Sequence, residues 1–324
     1  MNEKYIVSSS PHVRSEVGTS KIMRDVIIAL IPTVIAGTYI FGFRALLIML
    51  ISIISAVLSE HIWCLIVRKK TTIMDGSAAV TGLLLALTLP VGVPLFIPAL
   101  GSIFAIIIAK ALFGGLGNNF MNPALVGRAF LVASFSQAMT SWNKPFYYKG
   151  TEVITGATPL NVLKSGGELM VSYKDLFLGN TGGCIGEVCA LALIIGFIYL
   201  LIRKVIRPFA TLSYILGVGI FGVIFGYNGY FTGDFLTSIL TGGVMLGAIF
   251  MLTDYVTSPT TDRGNIIYGL LAALITTFIR LKGGYPEGVC YSILLVNILA
   301  PQIDKIFLPK KYGFVKVKKG GTAK

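Results

Sequence analysis

Charged residues divide the chain into apolar runs of similar length. Residues 26–43 are uncharged between Asp25 and Arg44, and 45–67 form a second run interrupted only by Glu60 and His61, ahead of Arg68-Lys69-Lys70. Each is close to the roughly 20 residues a helix needs to cross the hydrocarbon core. From Gly76 to Ala109 no charge occurs, a stretch too long for one crossing, and Pro90, Pro94 and Pro98 divide it into two helices joined by a tight turn. A short fifth segment, 123–135, contains Arg128, and a long polar stretch follows it. Further runs lie at 188–202, between Arg207 and Asp234, and at 235–253, 266–279 and 288–303. The pattern predicts an all-α polytopic membrane protein of about ten transmembrane helices. Its divisions are an N-terminal segment 1–24, five helices over 25–135, a polar loop 136–184, five more helices over 185–304, and a basic tail 305–324.

Composition removes the soluble alternative that 324 residues would otherwise allow. Hydrophobic residues make up 55% and charged residues 13%, there are 37 glycines, and the mean hydropathy is +0.81. The net charge of +13 then has a topological meaning. With a cytoplasmic N-terminus, two-thirds of the 27 Lys and Arg residues fall before the first crossing, in 68–75, 203–207 and 254–264, and in the tail. That is the side on which membrane proteins concentrate basic residues, so both termini are expected in the cytoplasm of a bacterial cell and no nucleic-acid partner is implied. Five crossings precede the polar loop, which places it on the outer face. Cys64, Cys184, Cys189 and Cys290 form no CxxC pair, and His12 and His61 are the only histidines. A metal centre or haem is therefore disfavoured, and the cysteines read as small buried hydrophobes. No short apolar region followed by a small-residue cleavage site begins the chain, so no cleaved signal peptide is expected.

Thr88-Leu89-Pro90 recurs as Thr257-Ser258-Pro259, and Gly114-Gly115 as Gly283-Gly284, both 169 residues later. Five crossings per unit is an odd number, so two such units would be inverted relative to each other.

Within the polar loop, Thr155-Gly156-Ala157-Thr158-Pro159-Leu160 reads as a loop running into a helix start. Thr158 is the expected N-cap and Pro159 the first helical residue, where a missing N–H is harmless. Free backbone donors at such a start suit a phosphate on or beside the hydroxyl, and Gly156 and Ala157 leave room for a flat ligand. An ordinary capped loop helix has the same signature, and both readings stand on these residues alone.

The hexapeptide resembles the Ser/Thr-Gly-Ala-Thr motif of a family of membrane subunits. Its members are RnfD, from the Rnf ion-translocating oxidoreductase, and NqrB, from the sodium-pumping NADH:quinone reductase. The resemblance extends over essentially the whole chain, from the polar N-terminus through ten crossings, and has its greater likeness to the Rnf member. It implies a phosphoester-linked FMN on Thr158, a second, noncovalent riboflavin among the helices, and assembly with Rnf subunits A, B, C, E and G. Electrons would be exchanged with the FMN on RnfG, and their flow between ferredoxin and NAD coupled to Na+ or H+ movement.

Other residues are candidates by position. Gly114 to Arg128 holds a glycine-rich turn, three asparagines and a proline-started helix, the pattern of a broken helix lining a cavity. Asn119 and Asn122 are cofactor-binding candidates there. Arg128, costly in a membrane unless paired, is a candidate for meeting an anion such as a flavin phosphate. The same stretch also reads as a structural hairpin with Arg128 reaching for the interface. Asp75, Glu187 and Asp254 sit at the ends of predicted crossings, as ion-path carboxylates or as simple solvated ends.

The chain contains no P-loop, Rossmann fingerprint, iron–sulfur cysteine cluster or Ser-His-Asp spacing. It is expected to be a redox subunit of a translocase, catalytically incomplete alone, with partners bringing and removing electrons. Two rival classes remain: an inverted-repeat channel or transporter with the architecture of urea transporters, and a scaffold subunit. Neither gives Thr158 a role in its loop.

Overall fold

The computed structural model describes residues 18–68, 71–149, 158–167, 171–227, 229–284 and 287–308. These residues are helical and loop, with no strand among them. In chain order the helices are α1 (Thr19–Phe41), α2 (Phe43–Ile66), α3 (Ser77–Leu87), α4 (Phe96–Phe104) and α5 (Pro123–Ser134). The short α6 (Ser136–Met139), α7 (Pro159–Lys164) and α8 (Tyr173–Leu178) follow in the polar loop. Then come α9 (Ala190–Ile202), α10 (Pro208–Phe225), α11 (Phe235–Leu240), α12 (Val244–Leu246), α13 (Asp262–Lys282) and α14 (Val289–Phe307). Two helices continue as wider π-helical stretches, α4 through Ala105–Ala111 and α12 through Gly247–Met251.

Helices α1, α2, α10, α13 and α14 are each long and apolar enough to cross a membrane, at 23, 24, 18, 21 and 19 residues, whereas α3, α5 and α9 are apolar but shorter. The outer surfaces of the long helices are oily. Ile28, Ile31, Ile35 and Tyr39 of α1, and Leu50, Ile54, Leu58 and Ile62 of α2, are exposed at helical spacing. An apolar exterior of this extent belongs in lipid, and the chain is a multi-pass membrane protein.

Inside, small residues set the packing, as expected where hydrophobicity cannot drive one helix against another. Helix α2 packs on α3 and α4, α10 along α13, α13 on α14, and α1 on α9. A Cβ at Gly196 of α9 would lie 2.4 Å from the carbonyl oxygen of Ala29 in α1, so these two backbones are in contact. Gly196→Leu is expected to push α1 and α9 apart and destabilise the protein by about 1–3 kcal/mol or more. A lower midpoint for heat-induced loss of the monodisperse peak in detergent checks this.

The short helices end inside the protein, and side chains satisfy the backbone they leave open. Beyond α3, the Thr88 carbonyl accepts from Arg128 Nη1 at 2.8 Å. The amides of Ile185 and Gly186 donate to the carbonyls of Leu89 and Leu87 at 3.0 and 2.8 Å. Between α11 and α12 the chain turns through Gly242 and Gly243, at φ +67° and +70°. There Arg280, 4% exposed, donates to the carbonyls of Ser238, Thr241 and Gly242. One buried arginine thus closes each break.

Three predicted boundaries move for physical reasons. Helix α1 begins at Thr19 rather than 26, because Asp25 is not a solvated end: it accepts from Tyr199 at 3.1 Å and pairs with Arg203 at 3.3 Å. The run 235–253 is not one helix but α11, the Gly242–Gly243 turn and α12 with its π-helical continuation. The run 266–279 extends to Asp262–Lys282 because Arg280 is turned inward onto carbonyls instead of ending the helix.

Candidate functional site

Two polar regions lie buried among the helices, and the predicted site residues divide between them. The first is built on the start of α5. Asn122 caps this helix, its Oδ1 accepting from the amides of Ala124 and Leu125 at 3.0 and 3.4 Å, while its Nδ2 donates to the carbonyl of Met251 at 3.3 Å. It therefore ties α5 to the π-helical stretch after α12. Asn119 donates to the carbonyl of Met121 at 3.1 Å, but its Oδ1 is buried with no hydrogen-bond partner. Both asparagines are 4% exposed, and they line one cavity with Lys110, Ser77, Thr253 and Asp254.

Lys110, 2% exposed, explains how a charge survives there. Its Nζ lies 3.0 Å from Glu60 Oε1 and donates to Ser77 Oγ at 2.6 Å. Ser77 in turn donates through N and Oγ to Asp75 Oδ1 at 2.8 and 2.6 Å. Asp75, just before the α3 N-cap Gly76, thus joins a four-residue polar chain. Asp254 accepts from Thr257 Oγ1 at 3.3 Å, and burial raises its carboxyl above the ordinary carboxylate range.

The second region lies beneath the polar loop. Thr158 is the N-cap of α7, with Pro159 following and Oγ1 accepting from the amide of Asn161 at 3.2 Å, as its sequence predicts. It is 6% exposed and lines a cavity with Thr181, Glu187, Thr241, Gly242 and Glu287. Gly156 and Ala157 lie outside the described residues. Glu187 accepts from the amide of Cys184 at 3.0 Å; burial first, and the neighbouring Glu287 second, push its carboxyl above the ordinary carboxylate range.

Arg128 belongs to this second region, apart from Asn119 and Asn122. It forms an ion pair with Glu287, donates to the carbonyl of Thr88, and points a further N–H at Cys184 Sγ at 3.6 Å. Its charge is countered within the protein, and it neither reaches for an interface nor stands open for an anion. Asp75 and Glu187 likewise are not bare helix ends, being engaged with Ser77 and Cys184.

Sequence reasoning missed Glu287 and the role of the Glu60–Lys110 pair. For the pair a signal existed, since Glu60 and Lys110 are charges inside or at the edge of apolar runs, where only a paired residue is tolerated. Glu287 stands in a short loop before α14 and carries no local signal.

The molecule so defined is a multi-pass α-helical membrane protein with broken helices, two buried polar regions and internally paired charge. It belongs to the NQR2, RnfD, RnfE family, whose model matches residues 6–313. The chain is 47% identical, over 327 residues covering 100% of both chains, to the D subunit of the Na(+)-translocating ferredoxin:NAD(+) oxidoreductase complex of Acetobacterium woodii. It is 46% identical to the D subunit of the proton-translocating ferredoxin:NAD(+) oxidoreductase complex of Clostridium ljungdahlii, with 95% of this chain and 96% of the relative covered. With the D subunit of the ion-translocating oxidoreductase complex of Escherichia coli it shares 35% identity, over 95% of this chain and 98% of the relative.

Proposed function

We propose that this chain is the membrane electron-transfer D subunit of an Rnf-type ion-translocating ferredoxin:NAD oxidoreductase, with FMN esterified to Thr158 and a second, noncovalent riboflavin in the Asn119 cavity. The full-length identity to the D subunits of such complexes carries the reading. Its partners are the Rnf subunits A, B, C, E and G, with electrons exchanged with the FMN of RnfG. It lies in the bacterial cytoplasmic membrane with both termini inside and the Thr158 loop outside, in keeping with the distribution of Lys and Arg. The moved ion is Na+ or H+, and the names of the relatives include both.

Ten crossings in two inverted five-helix units is the architecture we infer. An odd number of crossings on each side of the polar loop is what supports it.

The residues present suit both flavins. Thr158 offers a hydroxyl at a cavity wall, in the loop where the family motif places it. The unpaired Asn119 Oδ1 is an acceptor of the kind a flavin ring's imide N–H requires. A bound flavin supplies electron transfer in single or paired steps, which none of the side chains provides. The chain's own part is placement. Met23 lines the Asn119 cavity, whereas Gly37, next to Ile185, marks the other region. The two sites are thus offset by about 20 Å of rise along α1, which carries electrons partway across the membrane between faces.

Intact mass and in-gel flavin fluorescence of the chain coexpressed with the family's flavin transferase test the covalent assignment; no added FMN mass despite an active transferase removes it. For the noncovalent site, Asn119→Leu is expected to reduce riboflavin released on denaturation by about tenfold, the loss of one buried hydrogen-bond partner. The covalent FMN mass is expected to be unchanged.

A further inference from the structure

Beside the Thr158 cavity lies another, lined by Arg128, Met139, Trp142, Asn161, Glu287 and Tyr291. Two of its polar atoms are unsatisfied. The indole Nε1 of Trp142, a residue 5% exposed, is buried without a hydrogen-bond partner. Glu287 uses Oε2 for Arg128, but its Oε1 is likewise buried and unpartnered. A tryptophan N–H only donates, and an ionised carboxylate only accepts. Each left bare in a buried place keeps its desolvation penalty uncompensated, so the two together point to something that satisfies both.

The occupant must both accept and donate, which a water or a hydroxyl does as well as a larger neutral group. An anion would meet Trp142 but be repelled by Glu287, and a cation would meet the carboxylate but not the indole N–H. A neutral group with an acceptor directly beside an N–H fits both, and an imide edge, a carbonyl next to N–H, is such a group. Glu287 also lines the Thr158 cavity, and Asn161 lies one helical turn beyond Thr158, so the two cavities adjoin.

We propose that Trp142 and Glu287 hold the imide edge of the flavin ring carried on Thr158, the indole N–H donating to a ring carbonyl and the ring N3–H donating to Glu287 Oε1. The assignment rests on the covalent-flavin reading. It makes Trp142 a positioning and tuning residue, because a donor on a ring carbonyl stabilises the electron-rich reduced ring.

Infrared difference spectra of the assembled complex test it. In Trp142→Phe the flavin carbonyl stretch is expected to move to higher wavenumber and the midpoint potential of the covalent flavin to fall, with the FMN mass on the chain unchanged. The chain has two tryptophans, so Trp63→Phe leaves Trp142 as the sole reporter without disturbing the cavity. Its emission is expected to be almost fully quenched in the flavin-loaded chain and restored when Thr158→Val is added. Flavin mass present with an unmoved carbonyl band, or with Trp142 emission the same in loaded and unloaded chains, overturns the proposal while leaving the covalent reading intact. Absence of flavin mass from the parent chain overturns both.

Discussion

Thr158→Val is expected to abolish the covalent flavin while leaving the chain folded. Valine keeps the branched shape that packs at a site 6% exposed, so no cavity is created. What it loses is the hydroxyl, and with it the acceptor for the Asn161 amide. Removing an N-cap acceptor costs about 1 kcal/mol, and α7 is a six-residue helix that the packing of the long helices does not depend on. In-gel flavin fluorescence and the added FMN mass should disappear, the size-exclusion profile should not change, and ferredoxin-dependent NAD reduction by the assembled complex should fall to background. Thr158→Ser keeps both hydroxyl and cap and should retain the flavin. Flavin mass persisting on the valine variant would move the attachment to another residue and end the argument built on this loop.

What could be read in advance follows from the range over which each feature is determined. Helix positions were legible because length and hydropathy are local; Pro90 and Pro94 mark the turn that separates α3 from α4, while Pro98 sits in the first turn of α4 itself. The Thr158-Pro159 cap was legible for the same reason. Where the helices begin and break was not. Asp25 looked like a boundary because its partner Arg203 is 178 residues away. Gly242-Gly243 in an apolar run fits either close packing or a positive-φ turn, and only the carbonyls gathered by Arg280 decide between them. Charge pairing was the least legible feature. Lys110 and Glu60 are 50 residues apart, and Arg128 and Glu287 are 159 apart, so one sequence shows Glu60, Lys110 and Arg128 as costly charges in or beside apolar runs without showing what cancels them.

That cancellation yields the second large expectation. Arg128→Ala should destabilise the fold strongly, because the guanidinium joins four parts of the chain: α5, the Thr88 carbonyl after α3, the loop at Cys184, and Glu287 before α14. Its side chain is 10% exposed and that of Glu287 17%, so solvent cannot replace the lost partner. Removing one member of a buried pair costs about 3–5 kcal/mol, chiefly from the charge left behind. Glu287→Ala should cost a similar amount for the mirror-image reason, while Glu287→Gln, which still accepts from Arg128, should cost less. If the pair acts as a unit, Arg128→Leu combined with Glu287→Leu should be less harmful than the sum of the single changes, the remaining deficit being the unsatisfied Thr88 carbonyl. Thermal midpoints of all variants in detergent measure this. Measuring them on the Thr158→Val background separates the electrostatic role from any contribution of bound flavin. Additive losses there would show that Arg128 matters to the fold through Thr88 and Cys184 and that Glu287 is free to serve the ligand alone.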